Sequence, residues 1–451
     1  MVIQLESQQI SMSSPFDTIV APITGAENAA VAVVRVSGTE AWEVAAKVFQ
    51  PWPETPTPRF ALYGHFITGD DGLALPFAED HSYTGDQTVE LSIHGSRASV
   101  QALVEACLVA GARMARPGEF TERAFLNGRL DLTQAEGVRD TVEALTQTQL
   151  RQANLLREGT LRDQVRAIRA EVEAVLAAVE ASVDFSEEIG DLDRPVAVAQ
   201  LGVAIQELDR LLLTQEAGRI LRRGYRIAIV GPPNAGKSSL LNALLGYDRA
   251  IVTEVPGTTR DFVEERIDLG GVPCVLTDTA GLRETEDRVE SIGVERSRRV
   301  AEAADEVWYV VDGTVGLTPE DEASIETIER PVVVIWNKAD LLQPDRSYRT
   351  YKTYSISALT RQYLDLLVDH VKGKIDSTGA ESVWINDRHA PLLHSSRESL
   401  DNAAKTLKVD LPFDLASVHL QAALADLGQI TGETAGEDVL DAIFRNFCIG
   451  K

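Results

Sequence analysis

The chain has 451 residues, enough for about three domains with separate cores. Its apolar fraction of 44% and charged fraction of 25% are those of a globular protein, and a net charge of −26 excludes broad, nonspecific nucleic-acid binding. Cys107, Cys274 and Cys448 have no metal-type spacing, Met1 to Ser14 lack a signal-peptide core, and no apolar run reaches membrane-spanning length. A reducing, cytoplasmic setting with no membrane partner is expected.

In chain order, residues 17 to about 130 read as mixed α and β. Val31-Ala-Val-Val-Arg-Val36 is strand-like. Pro51 to Pro58 is a connection. Thr88 to His94 alternates, with Val89, Leu91 and Ile93 on one side and Thr88, Glu90, Ser92 and His94 on the other. From Gln134 to Asp184 the period becomes helical, with Leu161, Val165, Ile168, Val172, Val175, Val179 and Val183 as a core stripe. Leu201, Ile205, Leu208 and Leu212 form a second stripe, so a helix bundle is expected. Arg219, Arg222, Arg223 and Arg226 cluster at its end, either as a solvated helix end or as a local basic patch.

Tyr225-Arg-Ile-Ala-Ile-Val230 is a strand, Gly231-Pro-Pro-Asn-Ala-Gly236-Lys237-Ser238 a Gly-rich turn, and Ser239 to Leu245 a helix. That is the context of a phosphate loop. Its glycines turn backbone N–H groups onto phosphate oxygens, Lys237 reaches the outer phosphates, and the Ser238 hydroxyl ligates Mg²⁺. The side-chain oxygen of Asn234 can ligate a monovalent cation beside the transferring phosphoryl group. Gly257-Thr-Thr-Arg-Asp261 can bring Thr259 to Mg²⁺. Val272 to Thr277 is a strand running into Asp278-Thr-Ala-Gly281, where Asp278 would hold Mg²⁺ through water and Gly281 N–H would sense the γ-phosphate. Leu282 stands where a Ras-like enzyme has its water-positioning Gln. Glu284, Glu286, Asp287, Glu290 and Glu295 are the carboxylates nearby, and spacing alone does not choose among them.

Val332 to Trp336 is a buried strand ending in Asn337-Lys-Ala-Asp340. A carboxylate at Asp340 accepts guanine N1–H and the exocyclic NH₂; adenine offers neither donor there, so GTP is the expected nucleotide. Ser357-Ala358-Leu359 supplies the last base-contacting loop. From about residue 377 the chain is helical again, with Thr434 and Glu437 as a capping box before Val439, Leu440, Ile443, Phe444 and Phe447. That tail is short for a core of its own and is expected to pack on the earlier helices.

The chain resembles the MnmE (TrmE) family of tRNA-modifying GTPases over almost its whole length. The resemblance rests on Asp17-Thr-Ile-Val20, Val34-Arg-Val-Ser-Gly38, Ser82-Tyr-Thr-Gly-Asp86, the run from Arg116 to Glu136, Gly257-Thr-Thr-Arg-Asp261 and Phe447-Cys-Ile-Gly-Lys451. It departs at residues 25–30, which read Gly-Ala-Glu-Asn-Ala-Ala in place of Pro-Pro-Gly-Arg-Gly-Gly, and at His94-Gly95-Ser96 in place of His-Gly-Gly.

The resemblance implies a multidomain α/β plus α+β protein. Residues 15–130 would be an N-terminal folate-binding, dimerising α+β domain. Residues 131–223 and 377–451 would be an α-helical domain, with a Ras-like P-loop GTPase domain inserted at 224–376. It implies a homodimer that works with an FAD-containing MnmG (GidA) partner, in a heterotetramer, on the wobble uridine of certain tRNAs. It implies GTP, Mg²⁺, K⁺ and a formyl- or methylene-tetrahydrofolate. Mg²⁺ would be held by Ser238 and Thr259, and K⁺ by Asn234, Thr253, Val255 and Thr258. The catalytic carboxylate would be Glu290, and the folate contacts Arg35, Glu90, Arg129 and Lys451. The GTP-binding set is then Asn234, Ala235, Gly236, Lys237, Ser238, Ser239, Thr253, Glu254, Val255, Pro256, Gly257, Thr258, Thr259, Asp278, Thr279, Ala280, Gly281, Asn337, Lys338, Ala339, Asp340, Ser357 and Ala358. Cys448 is either a thiol near the one-carbon donor or a small apolar residue beside Phe447. The alternative from another class is a regulatory GTPase switch with no part in RNA chemistry.

Overall fold

The computed structural model describes residues 17–25, 28–184, 192–246, 264–278, 299–342, 351–375, 382–409 and 411–451. The chain divides into two compact units: Met1–Arg139 with Arg157–Arg162 and Gly428–Lys451, and Asp140–Leu156 with Asp163–Leu427. No helix among the described residues is long and apolar enough to cross a membrane.

The first unit is built on a seven-stranded sheet in the order β3-β4-β5-β6-β2-β1-β7. The strands are β1 (Ile19–Pro22), β2 (Val31–Ser37), β3 (Phe49–Gln50), β4 (Leu62–Phe66), β5 (Asp71–Phe77), β6 (Thr88–His94) and β7 (Arg113–Met114). The alternation of β2 and β6 sends Val34, Val36, Val89 and Leu91 to one face. There α1 (Ala41–Val48) and α2 (Arg97–Val109) cover them with Val44, Val48, Leu103 and Cys107. On the opposite face, Phe120 of α3 (Glu119–Leu126) packs on Ile19 and Ala21 of β1. Among the described residues, Tyr63 and Leu73 on the β4–β5 side of that face are exposed, as is Val31 of β2. The C-terminal residues complete this unit. Ile443, Phe444 and Phe447 pack with Leu132 and Ala135, which open α4 (Leu132–Glu143).

In the second unit, most of α5 (Gln147–Glu158) and α6 (Thr160–Asp184), with α7 (Arg194–Leu212) and α8 (Gln215–Arg223), precede a six-stranded sheet, and α12 (His389–Lys408) and most of α13 (Phe413–Thr431) follow it. The α6 stripe is buried from Leu161 to Val179, but Val183 is exposed. The α7 seam differs from the expected one. It runs Leu201, Ala204, Leu208, Leu211, so Ile205 and Leu212 flank the buried line. Small Ala204 lets a partner helix approach, which a search for large apolar residues overlooks.

The sheet order is β13-β12-β11-β8-β10-β9, parallel except for the β9–β10 hairpin. Its strands are β8 (Tyr225–Val230), β9 (Glu264–Leu269), β10 (Val272–Asp278), β11 (Glu306–Asp312), β12 (Val332–Asn337) and β13 (Lys352–Ser355). Both faces are buried. Ile227, Ile229, Trp308, Val310, Val333 and Ile335 enter one core, while Ala228, Val230, Val307, Tyr309, Val311, Val334 and Trp336 enter the other. This is why these strands read as unbroken apolar runs. Helices α9 (Lys237–Leu245), α10 (Pro319–Glu326) and α11 (Leu364–Lys372) complete the doubly wound unit.

The expected capping box at Thr434 does not form. The last helix, α14 (Glu437–Phe444), starts from Gly436 in an extended conformation and has no side-chain cap. The Thr434 side chain lies instead against the backbone of Gly428.

Candidate functional site

The nucleotide cradle lies at the carboxyl edge of the parallel sheet, after β8, where open α/β sheets take ligands. Its loop is held open by backbone that side chains would block. Gly231 has φ 141°, and a Cβ there would stand 2.2 Å from the Val310 carbonyl oxygen. Gly236 has φ 95°, and a Cβ there would stand 2.1 Å from Nδ2 of Asn337. Asn234 is also left-handed, at φ 63°, and is exposed. Lys237 curls back, its Nζ donating to the carbonyls of Gly231 and Pro232 at 2.8 Å each. Ser238 and Ser239 open α9 and are exposed, so a ligand can reach their hydroxyls.

Asn337 ties the cradle together. Its Nδ2 donates to the Ala235 carbonyl at 2.9 Å, and its Oδ1 accepts from the Ala358 N–H at 3.0 Å. The phosphate loop and the two segments expected to read the base are thereby joined by one side chain, itself buried. Ser357 Oγ donates to Oδ1 of Asp340 at 2.5 Å, orienting the carboxylate. Ala339 is buried beside it and donates its N–H to the Ile356 carbonyl at 3.0 Å. Sequence reasoning missed Asp312. It ends β11 beside Asn337 in the strand register, and its Oδ2 accepts from Lys338 Nζ at 2.5 Å. Its carboxyl is held below the usual range: burial would raise it, but the Lys338 and Thr314 hydrogen bonds outweigh that. The available signal was a strand ending in Asp next to a strand ending in Asn-Lys. Thr253, Glu254, Val255, Pro256, Gly257, Thr258, Thr259, Thr279, Ala280, Gly281, Leu282 and Glu290 lie outside the described residues, as does the side chain of Asp278.

A second cluster lies in the first unit, on the sheet face opposite α1 and α2. The register puts Ala21, Arg35, Glu90 and Leu75 in one row across β1, β2, β6 and β5. Arg35 donates to Oε1 of Glu90 from Nε at 3.1 Å and Nη2 at 2.7 Å. Its guanidinium lies over the rings of Tyr83 and Phe120, at 5.2 and 5.5 Å. Lys451 arrives from the far end of the sequence. Gly450, at φ 99°, packs so closely on β1 that a Cβ would stand 2.3 Å from the Pro22 carbonyl oxygen. The Lys451 amine is shifted down by burial and by the charge of Arg35, with Cys448 and Glu90 opposing. Two cations and a carboxylate therefore converge, a set suited to a ligand carrying acid groups and N–H donors. Arg129 is not in the row. It is exposed and donates to the Asp80 carbonyl at 3.1 Å, bracing the turn before Tyr83. Cys448 is exposed, so it does not pack as a small apolar residue beside Phe447.

The framework under this cluster was also unforeseen. Arg113 donates to Asp17 and Glu119, and Arg123 joins the same two carboxylates. The Glu119 carboxyl is held at about 2. Burial acts to raise it, but hydrogen bonds from Arg113 and the Arg116 N–H, with the charges of Arg113 and Arg123, prevail. The four-arginine cluster resolves into ion pairs: Arg219 with Glu216 and Asp305, Arg222 with Asp140, Arg223 with Asp387, and Arg226 with Glu264.

Known proteins place this architecture. Residues 18–129 match the family model of the GTP-binding protein TrmE N-terminus, and residues 132–448 that of the MnmE helical domain. The chain is 42% identical over 460 aligned residues to the tRNA modification GTPase MnmE of Moorella thermoacetica, covering 96% of this chain and 99% of that one. It is also 42% identical to the enzyme of that name from Chloroflexus aurantiacus, covering 96% and 100%. Among solved structures, Aquifex aeolicus Era bound to GDP and AlF₄⁻ aligns at 26% identity with a TM-score of 0.28, over 39% of this chain and 66% of that one. With both family models matched in order and full-length relatives at this identity, the chain belongs to the MnmE (TrmE) family of tRNA modification GTPases.

Proposed function

We propose that this GTPase is K⁺-stimulated and acts as a homodimer with an FAD-containing MnmG (GidA) partner. Together they would add an aminomethyl or carboxymethylaminomethyl group to C5 of the wobble uridine of certain tRNAs. The observation that carries the reading is the pairing, in one chain, of a built guanine cradle with a distinct cluster of Arg35, Glu90 and Lys451. A simple switch needs only the first. In this reading Arg35 and Lys451 hold the acid groups of a formyl- or methylene-tetrahydrofolate and Glu90 accepts from its pterin donors, while Arg129 braces the neighbouring turn. The folate, when bound, supplies the one-carbon unit.

The exposed left-handed Asn234 supports a K⁺ ligand at the mouth of the phosphate loop, with Thr253, Val255 and Thr258 as its companions. Mg²⁺ would be held by Ser238 and Thr259, and Glu290 would position the attacking water in place of the missing Gln. The exposed Val31, Tyr63 and Leu73 on the sheet face support self-association. The acidic net charge and the paired arginines support a partner that carries most of the tRNA-binding surface.

The test is nucleoside mass spectrometry of tRNA after reconstitution with GTP, K⁺, FAD, NADH, a one-carbon folate and glycine or ammonium. Normal wobble modification in cells lacking this chain would overturn the proposal and leave the regulatory switch. Equal GTP turnover in KCl and NaCl would remove the K⁺ role alone.

A further inference from the structure

The exposed β4–β5 side of the N-terminal sheet carries a second group of ligating side chains, one that neither the nucleotide nor the Arg35 cluster uses. His65 lies across from Asp71 in the β4–β5 register, and in the β5–β6 pair Leu73 lies across from Ser92, two residues along from Asp71 and from His94. Asp70 precedes β5 in the turn from β4. One ligand atom each from Asp70, Asp71 and His94 lie within 4.8 Å of one another. We propose that Asp70, Asp71 and His94 form a binding site for one divalent transition-metal ion of the Zn²⁺ class.

The donor set is one imidazole nitrogen and two carboxylates, the mixed N/O set that suits borderline divalent ions rather than Ca²⁺ or Mg²⁺. The spacing is right. Two ligand atoms on a tetrahedral Zn²⁺ stand about 3.4 Å apart. His94 Nδ1 and Asp70 Oδ1 are now 2.6 Å apart, and an ion replacing their shared proton needs them to part by about 0.8 Å. The carboxylates are already oriented. Tyr63 Oη donates to Asp71 Oδ2 at 2.8 Å, an outer-shell contact of the kind that fixes a ligating carboxylate. The Asp71 N–H donates to Asp70 Oδ1 at 2.9 Å, and the Phe66 N–H anchors the Asp70 carbonyl at 2.8 Å. A separate observation points to a cation. Asp70 Oδ2 is enclosed and takes no hydrogen bond among the described residues, a costly state for a carboxylate oxygen that bidentate ligation would relieve. The ion would clip the β4–β5 turn to the end of β6.

The test uses the full-length chain, nucleotide-free and freed of metal with a chelator, titrated with Zn²⁺ in a calorimeter and with Co²⁺ in a spectrophotometer. One ion per chain is expected. The Co²⁺ spectrum should lack a thiolate charge-transfer band, which separates this site from exposed Cys448. His94→Ala and Asp70→Ala should each weaken binding about tenfold or more. His81→Ala, at the exposed His81–Asp80 pair 3.5 Å apart, should change nothing. Circular dichroism and GTP affinity serve as controls for folding, and Asp71→Asn is the second variant should His94→Ala not fold. Absence of stoichiometric Zn²⁺ or Co²⁺ binding by the wild-type chain, or binding that survives the His94 and Asp71 substitutions, would overturn the proposal and leave a surface ion pair.

Discussion

The nucleotide cradle and the Arg35 cluster are made from opposite materials. The cradle is largely backbone: a tight loop shaped by Gly231 and Gly236, pinned by one buried asparagine that bonds to Ala235 and Ala358. The other site is all side chain, gathered from residues 35, 90 and 451 onto one sheet face and stiffened by Tyr83 and Phe120. A backbone site fails when anything is added to it. A side-chain site fails in steps, as individual charges are removed.

The largest effect is expected at Asp340, the carboxylate proposed to read the base. Asp340→Asn exchanges an acceptor for an amide that presents NH₂ to the C2 oxygen of xanthine. The preference for GTP over XTP should swing by about four orders of magnitude in competition binding. Retention of full GTP affinity with rejection of XTP would show that Asp340 does not read the base. Gly236→Ala comes next. Its Cβ would stand 2.1 Å from Asn337 Nδ2, in a left-handed conformation, and the loop must shift or Asn337 must let go. GTP affinity should fall about 100-fold with the helical content intact. A smaller loss than that of Arg35→Ala on folate would undo the contrast.

Much of the cradle was legible because its parts are consecutive. Val230, Gly231, Gly236, Lys237 and Ser238 lie within nine residues, and a short apolar run marks the strand beneath them. Asn337, Asp340 and Ser357 are read the same way. What escaped depends on strand register, which hydrogen bonds between distant segments decide. Asp312 beside Lys338, and the row of Ala21, Arg35, Glu90 and Leu75, are of this kind. The stacking of Arg35 on Tyr83 and Phe120 and the Asp17–Glu119–Arg113–Arg123 network need helix α3 placed on β1, which no local pattern specifies. Thr434 was misread because Gly436 starts the helix without help.

The framework gives a pH test. The Glu119 carboxyl is held at about 2, below its ordinary 4.5, so its charged form is favoured by folding. The stabilisation is complete above the ordinary value and disappears as pH falls from 4.5 through about 2. A displacement of this size is worth on the order of 3 kcal/mol. Glu306 in the second unit is also held at about 2: burial raises it, and His370 and Lys374 more than offset this. Global acid unfolding therefore mixes the two. Amide hydrogen exchange should separate them: Glu119→Gln should flatten the acid dependence of protection in β1 and α3 while that of β11 persists. An unchanged profile in β1 and α3 would mean the network does not stabilise the sheet.

The smallest and most graded effects belong to the Arg35 cluster. Arg35 makes two hydrogen bonds to Glu90 and stacks on two rings, so Arg35→Ala removes a cation and leaves a carboxylate without its partner. Formyl-tetrahydrofolate should bind about 10- to 100-fold more weakly by calorimetry, the cost of one charge-assisted hydrogen bond. Arg35→Lys keeps the charge but loses the planar fork and the stacking, and should fall between wild type and Ala. Lys451→Met keeps the stem and should cost about tenfold or less, since the amine is only half-buried and already repelled by Arg35. None of the three should alter GTP affinity. If Lys451→Met weakens folate more than Arg35→Ala does, the terminal amine is the main anion contact and Arg35 serves chiefly to hold Glu90 in place.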